Sequence, residues 1–140
     1  MQIQPYLFFD GRCDEALAFY GKAVGAQVQH LIRFKDAPAQ PGDQANCPTP
    51  ADGEKVMHAS FTIGDSLVNA SDGECGGTPD FRGFSLVLNV KDGAEAKHRF
   101  DALLEGGGQA TMPLSPTFFA SSFGMLSDRF GVQWMVMSPP

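Results

Sequence analysis

The sequence predicts an α+β fold built from two tandem βαβββ modules, with cupped mixed sheets inside and helices outside. Three observations carry that reading. The order strand, helix, three strands occurs twice along the 140 residues. Both helical stretches show apolar residues at the i, i+3, i+4 spacing of one buried face. Glycine-rich or polar turns of a few residues separate the strand candidates, as hairpins require.

Residues 2–9 read as the first strand, with Pro5 placing it at a sheet edge or bulge, because proline cannot donate to a central ladder. Gly11 and Arg12 turn the chain into a helix from about Cys13 to Val24, burying Ala16, Phe19, Tyr20 and Ala23. Asp14 and Glu15 complement the dipole in its first turn, and Gly25 is placed to end it. Residues 27–34 alternate weakly and suggest a second strand. Residues 36–53 hold four prolines and almost no bulky apolar side chain, so they form a loop. Lys55–Ile63 is a strand, Gly64-Asp65-Ser66 a tight turn, and Leu67–Ser71 the returning hairpin partner.

A second glycine-rich loop covers 72–80, and then the pattern restarts. Gly83–Val90 is a strand. Asp92 and Glu95 have capping-box spacing before a helix that buries Ala96, Phe100, Leu103 and Leu104. Gly106-Gly107-Gly108 ends it. Residues 109–114, 117–127 and 132–138 are three further strands, the last two joined through Asp128–Gly131. Module one is about 1–72 and module two about 82–140 of a single domain 1–140, and two such units can cup their sheets around a shared cleft.

With 43% hydrophobic and 19% charged residues, the chain is an ordinary globular protein with a real core. A net charge of −6, with no basic run, argues against a nucleic-acid or membrane partner. Three cysteines at wide spacing make a disulfide framework improbable and favour a reducing cytoplasm. The N-terminus has no signal-peptide pattern, and no apolar run is long enough to span a membrane.

Few residues offer chemistry. No nucleophile elbow, paired-histidine zinc motif or phosphate-binding loop is present. Of the three histidines, His98 sits between Lys97 and Arg99 and faces solvent, and His30 receives no role. His58 lies in a strand whose face it shares with Ser60 and Thr62, a polar surface able to line a cleft. The plainer explanation, a strand histidine bonded to a neighbour, is preferred, since one imidazole without a carboxylate partner is thin evidence for a base. Asn69, Ser71 and Ser85 can supply neutral hydrogen bonds inside a cleft. Asp72 is a carboxylate near its mouth, but is read first as a turn residue. Phe118, Phe119, Phe123 and Trp134 cluster in the last strands. Core packing is the default for them, and a cleft wall for a planar or apolar ligand is the sharper alternative. Cys13 at a helix start is read as structural.

Several segments together carry a family resemblance. They are Pro5-Tyr-Leu-Phe-Phe-Asp-Gly-Arg-Cys13 with its helix through Phe19-Tyr20, Val56-Met-His-Ala-Ser60, Gly83-Phe-Ser-Leu-Val-Leu-Asn-Val90 and Phe123-Gly-Met-Leu-Ser-Asp-Arg-Phe-Gly-Val-Gln-Trp134. In this order and spacing the chain resembles the PhnB-like branch of the glyoxalase/bleomycin-resistance/dioxygenase (vicinal oxygen chelate) superfamily. Some members of that branch carry a demethylubiquinone methyltransferase label, to which the sequence lends no glycine-rich strand-to-helix turn. The metal-dependent relatives hold one divalent cation with His, Gln or Glu from the outer strands of each module. Those positions carry over to Pro5, about Asn69, Ser85 and about Met135, and none is a carboxylate or an imidazole. The assignment follows strand register, in which one residue of slip changes the sheet face. The resemblance thus implies a small-molecule-binding homodimer with no metal and no cofactor. A divalent-metal lyase, isomerase or dioxygenase of the glyoxalase type is the alternative, and a structural or regulatory homodimer the third reading. The ligand-binding candidates are His58, Asn69, Ser85, Phe119, Phe123 and Trp134.

Overall fold

A computed structural model describes residues 1–37, 52–73 and 78–140. The loop expected at 36–53 falls largely outside them, as do residues 74–77 of the one expected at 72–80. The chain divides into two compact units, Met1–Pro79 and Asp80–Pro140, each built around its own four-stranded sheet.

In the first unit the order is β1 (Tyr6–Phe8), α1 (Cys13–Val24), β2 (Gln27–Arg33), β3 (Val56–Ile63) and β4 (Ser66–Ser71). The sheet runs β1-β4-β3-β2, with β1 parallel to β4 and the other pairs antiparallel. Pro5 lies just outside β1, which is an edge strand, and the strand is three residues long rather than eight. The prolyl nitrogen has no hydrogen to extend the ladder toward residues 2–4, which are exposed. α1 spans the predicted residues and stops at Gly25, whose φ of 72° is left-handed. The Ala26 amide then returns to the Tyr20 carbonyl at 3.1 Å, closing the helix end. Tyr20 is the anchor: fully buried, it stacks at 6.2 Å on Phe61 of β3 and meets Phe9 at 6.2 Å.

The second unit repeats the order as β5 (Leu86–Asn89), α2 (Gly93–Leu104), β6 (Gln109–Ser115), β7 (Ser122–Ser127) and β8 (Gln133–Ser138). Its sheet runs β5-β8-β7-β6, again with one parallel pair, β5 with β8. Asp92 caps α2 by accepting from the Glu95 amide at 2.9 Å, as its spacing predicts. Gly106 and Gly107 adopt positive φ beyond the helix end. Two strands are shorter than read from sequence. β5 starts three residues late because Gly83 turns at φ 91°. β7 starts at Ser122 because Thr117–Ala120 closes a turn, the Thr117 amide donating to the Ala120 carbonyl at 3.0 Å.

Each helix covers one face of its own sheet. In unit one Leu7, Ala59, Phe61, Val68 and Ala70 point to that face and are buried. In unit two a β-carbon on Gly124 would come within 2.7 Å of the Phe100 ring, so the Gly124 row faces α2, together with Val136 opposite it. Residues of opposite parity form the second face of each sheet, called here the open face. No helix among the described residues is long and apolar enough to cross a membrane.

Candidate functional site

The open face of the first sheet is built row by row. Tyr6 lies opposite Asn69, Asn69 opposite Ser60, and Ser60 opposite His30, so one row crosses all four strands with polar side chains. Phe8 opposite Ser71, and His58 opposite Ile32, lie one step along the same face. The Tyr6 hydroxyl stands 3.0 Å from His58 Nδ1. With the imidazole neutral and its proton on Nε2, the phenol donates to Nδ1 and leaves Nε2–H as a donor. Tyr6 stacks on Phe8 at 4.9 Å, and the His30 and His58 rings are 6.3 Å apart. Asn69 is held through its amide nitrogen, which donates to Gln4 Oε1 at 3.0 Å and reaches the Pro5 carbonyl at 3.4 Å. Tyr6 is 40% and Phe8 49% exposed, so this is an aromatic platform edged by hydrogen-bonding groups.

The structure brings His58 and Asn69 together on this face. Ser85 lies one residue before β5 in unit two, in an open depression with Arg82, Gly83, Phe84, Gln133 and Met135. Phe123 belongs to the open face of β7, and its ring meets Phe119 edge-on at 5.1 Å in the loop before that strand. Phe118, beyond it, is almost fully exposed. Trp134 is placed differently from the cleft-wall expectation. It pairs with Leu126 on the helix-covered face, is 2% exposed, and donates its indole N–H to Asp128 Oδ2 at 2.9 Å. It is a core residue by strand parity: Met135 on one side of it and Gln133 on the other take the open face. Sequence reasoning missed Tyr6 and Phe8. The available signal was the alternation around Leu7, which the unbroken apolar run Tyr6–Phe9 masks.

The remaining polar candidates are structural. Asp72 is buried and accepts from the Cys13 amide and the Val56 amide, each at 2.8 Å. It thereby caps α1 from 59 residues away, a role Arg12 at the N-cap does not fill. Cys13 is fully buried, and desolvation, followed by the neighbouring Asp72 charge, pushes its thiol well above the usual range. A thiol held protonated in this way is a packing group and not a nucleophile.

The positions that the resemblance implies for a metal offer no carboxylate or imidazole donor. The residue sharing a row with Asn69 is Tyr6, and Pro5 lies outside the strand. Met135 is opposite Val87. The donors are a phenol, an amide, a hydroxyl and a thioether, which do not fit a divalent cation of hard or borderline character. Among the described residues no three His, Cys, Asp or Glu side chains form a metal-binding group.

Comparison with known proteins places the chain. The pattern of the 3-demethylubiquinone-9 3-methyltransferase family matches residues 1–137. The chain belongs to that family. Protein YjdN of Escherichia coli K12 is 36% identical over 139 residues, covering 97% of this chain and 94% of its own. Protein PA1353 of Pseudomonas aeruginosa, a solved structure, is 42% identical, with a TM-score of 0.84 and coverage of 99% and 98%. A glyoxylase/bleomycin resistance protein/dioxygenase domain from Frankia sp. EAN1pec is 14% identical, with a TM-score of 0.65 and coverage of 100% and 98%, and shares the fold. The chain therefore has the fold of that domain. The family's name specifies a methyl transfer. Both strand-to-helix turns here have helix N-termini already filled by the chain's own carboxylates, Asp72 and Asp92. That arrangement does not fit an anionic or nucleotide-bearing donor at those turns.

Proposed function

We propose that the chain is a small-molecule-binding protein of the vicinal oxygen chelate superfamily that works without a metal, as a cytoplasmic homodimer. The observation that supports this most is the open face of the first sheet, where the Tyr6–His58 hydrogen bond lies beside the stacked Tyr6–Phe8 pair. A planar or apolar ligand suits the aromatic platform, and one polar group on it suits His58 Nε2–H, Ser60 or Asn69. Stacking on such rings contributes about 0.5–1.5 kcal/mol beyond area burial, so platform and polar edge act together.

Saturation of the protein with uncharged aromatic compounds, followed by ligand-observed NMR, tests the reading. Binding should persist in chelator, weaken about tenfold or more in His58→Ala, which is about 1.4 kcal/mol, and weaken in Tyr6→Phe. Elemental analysis of protein purified without chelator should find less than about one-tenth of an equivalent of zinc, nickel, manganese or iron, since such donor sets bind those ions poorly. Stoichiometric metal that disappears in His58→Ala would instead overturn this reading in favour of the divalent-metal lyase, isomerase or dioxygenase of the glyoxalase type.

A further inference from the structure

The open face of the second sheet carries a different chemistry. Met112 on β6 lies opposite Met125 on β7, and Met125 lies opposite Met135 on β8. Three thioethers therefore stand in one row on three adjacent strands, with Val87 of β5 closing it. Met112 reaches this face because β6 is irregular on both sides of it. The register shifts between Ala110 and Met112 and again before Ser115. Ala110 thus pairs with Leu126 and Leu114 approaches Gly124 on the helix face, while Met112 takes the open one. Met112 is 44% and Val87 50% exposed.

We infer that the Met112–Met125–Met135 row is a binding site for a soft monovalent cation of the Cu(I) or Ag(I) type. Side chains directly opposite on neighbouring strands have β-carbons about 4.5–5.5 Å apart. The unbranched methionine side chain has three rotatable bonds and can bring its sulfur to a shared point from that spacing. Thioethers select soft cations and reject the hard and borderline divalent ones, and they carry no proton to lose. Phe123 lies one step along the face from Met125, with Phe119 edge-on to it at 5.1 Å, so aromatic rings flank the row on one side. This inference is independent of the ligand reading for the first sheet.

The test uses the full chain with accessible thiols blocked by N-ethylmaleimide and methionine methyls labelled with carbon-13, titrated with silver nitrate in chloride-free buffer. One equivalent of Ag(I) should shift the methyl signals of Met112, Met125 and Met135, with those of Met1 and Met57 unmoved. Met125→Leu keeps the apolar surface and removes the central sulfur. Since even outer-shell partners of a metal change affinity about 10–100-fold, it should weaken Ag(I) binding by at least about tenfold. Met137→Leu, in the neighbouring row, should leave affinity unchanged. Unchanged affinity in Met125→Leu, or shifts spread over all the methionines without saturation near one equivalent, would overturn the site and leave the row as an apolar surface only. Neither result bears on aromatic-ligand binding at His58, which is measured separately.

Discussion

Arg33 holds Asp14 with two guanidinium hydrogen bonds, at 2.8 and 2.9 Å, and donates a third to the Glu54 carbonyl at 2.6 Å. It ties the start of α1 to β2 and to the approach of β3. The hydrogen bond from Arg33, ahead of the guanidinium's charge, lowers the Asp14 carboxyl below its ordinary value of 3.8. A depressed folded-state pKa stabilises the native state above the unfolded value. That contribution is lost as pH falls from about the ordinary value through the folded one. Asp14 is half-exposed, so solvent screens the pair and its share of stability is small. Arg33→Ala should move the Asp14 titration, followed by carboxyl NMR, back up toward the ordinary value. A midpoint unchanged by that substitution would show that the bidentate pair does not persist in solution. The residue scale also shows where sequence reading stops. His58 and Asn69 were legible as polar strand residues, but the partner that organises His58 is Tyr6, 52 positions away. Register alone decides which residues across the sheet share a face, and a single chain does not print register.

At the scale of elements the sequence was more informative. α1 has the ends read for it because Gly25 leaves no alternative to a left-handed stop, and α2 because Asp92 and the triple glycine bracket it. β1, β5 and β7 came out shorter than their apolar runs. Hydrophobicity marks burial, whereas strand length is set by where partners and turns exist. The β7–β8 connection is the clearest case of a side chain specifying an element. Asp128 is buried and accepts from the Phe130 amide at 2.8 Å, the Val132 amide at 3.1 Å and the Trp134 indole at 2.9 Å. The turn and the tryptophan are thus fixed by one carboxylate, which explains why Trp134 belongs to the core and not to a cleft. Asp128→Ala strands these donors, each costing about 1–3 kcal/mol when buried and unmet. Denaturant unfolding should therefore show a loss of at least about 2 kcal/mol, by the same reckoning. The near-UV signal of Trp134 should broaden or weaken as well. Wild-type stability in that variant would mean that the turn is held by its backbone alone.

At the scale of the whole molecule, among the described residues each unit supplies one α-helix for one four-stranded sheet, and that helix covers a single face. The other faces carry Tyr6, Phe8, Val87 and Met112 at 40–50% exposure, and the β6–β7 loop adds Phe118 at 97% and Phe119 at 40%. Small soluble proteins rarely leave apolar patches of that extent in water unless the patches bind something. Among the described residues the sheets also end in edge strands, β1 and β2 in one and β5 and β6 in the other. The duplicated pattern was readable from sequence because both modules repeat one order of turns and amphipathic helices. What covers the open faces was not, because exposure is a property of the assembled chain. A second copy of the chain can cover apolar side chains by a two-fold contact, the commonest symmetry for soluble oligomers. The expected outcome is a homodimer. Light scattering at micromolar concentration should return twice the mass of one chain, and dilution should reduce binding of aromatic ligands in step with dissociation if each site needs both copies. A single-chain mass at that concentration refutes the dimer outright. A dimer whose ligand affinity is unchanged on dissociation keeps the assembly but assigns the site to one chain alone.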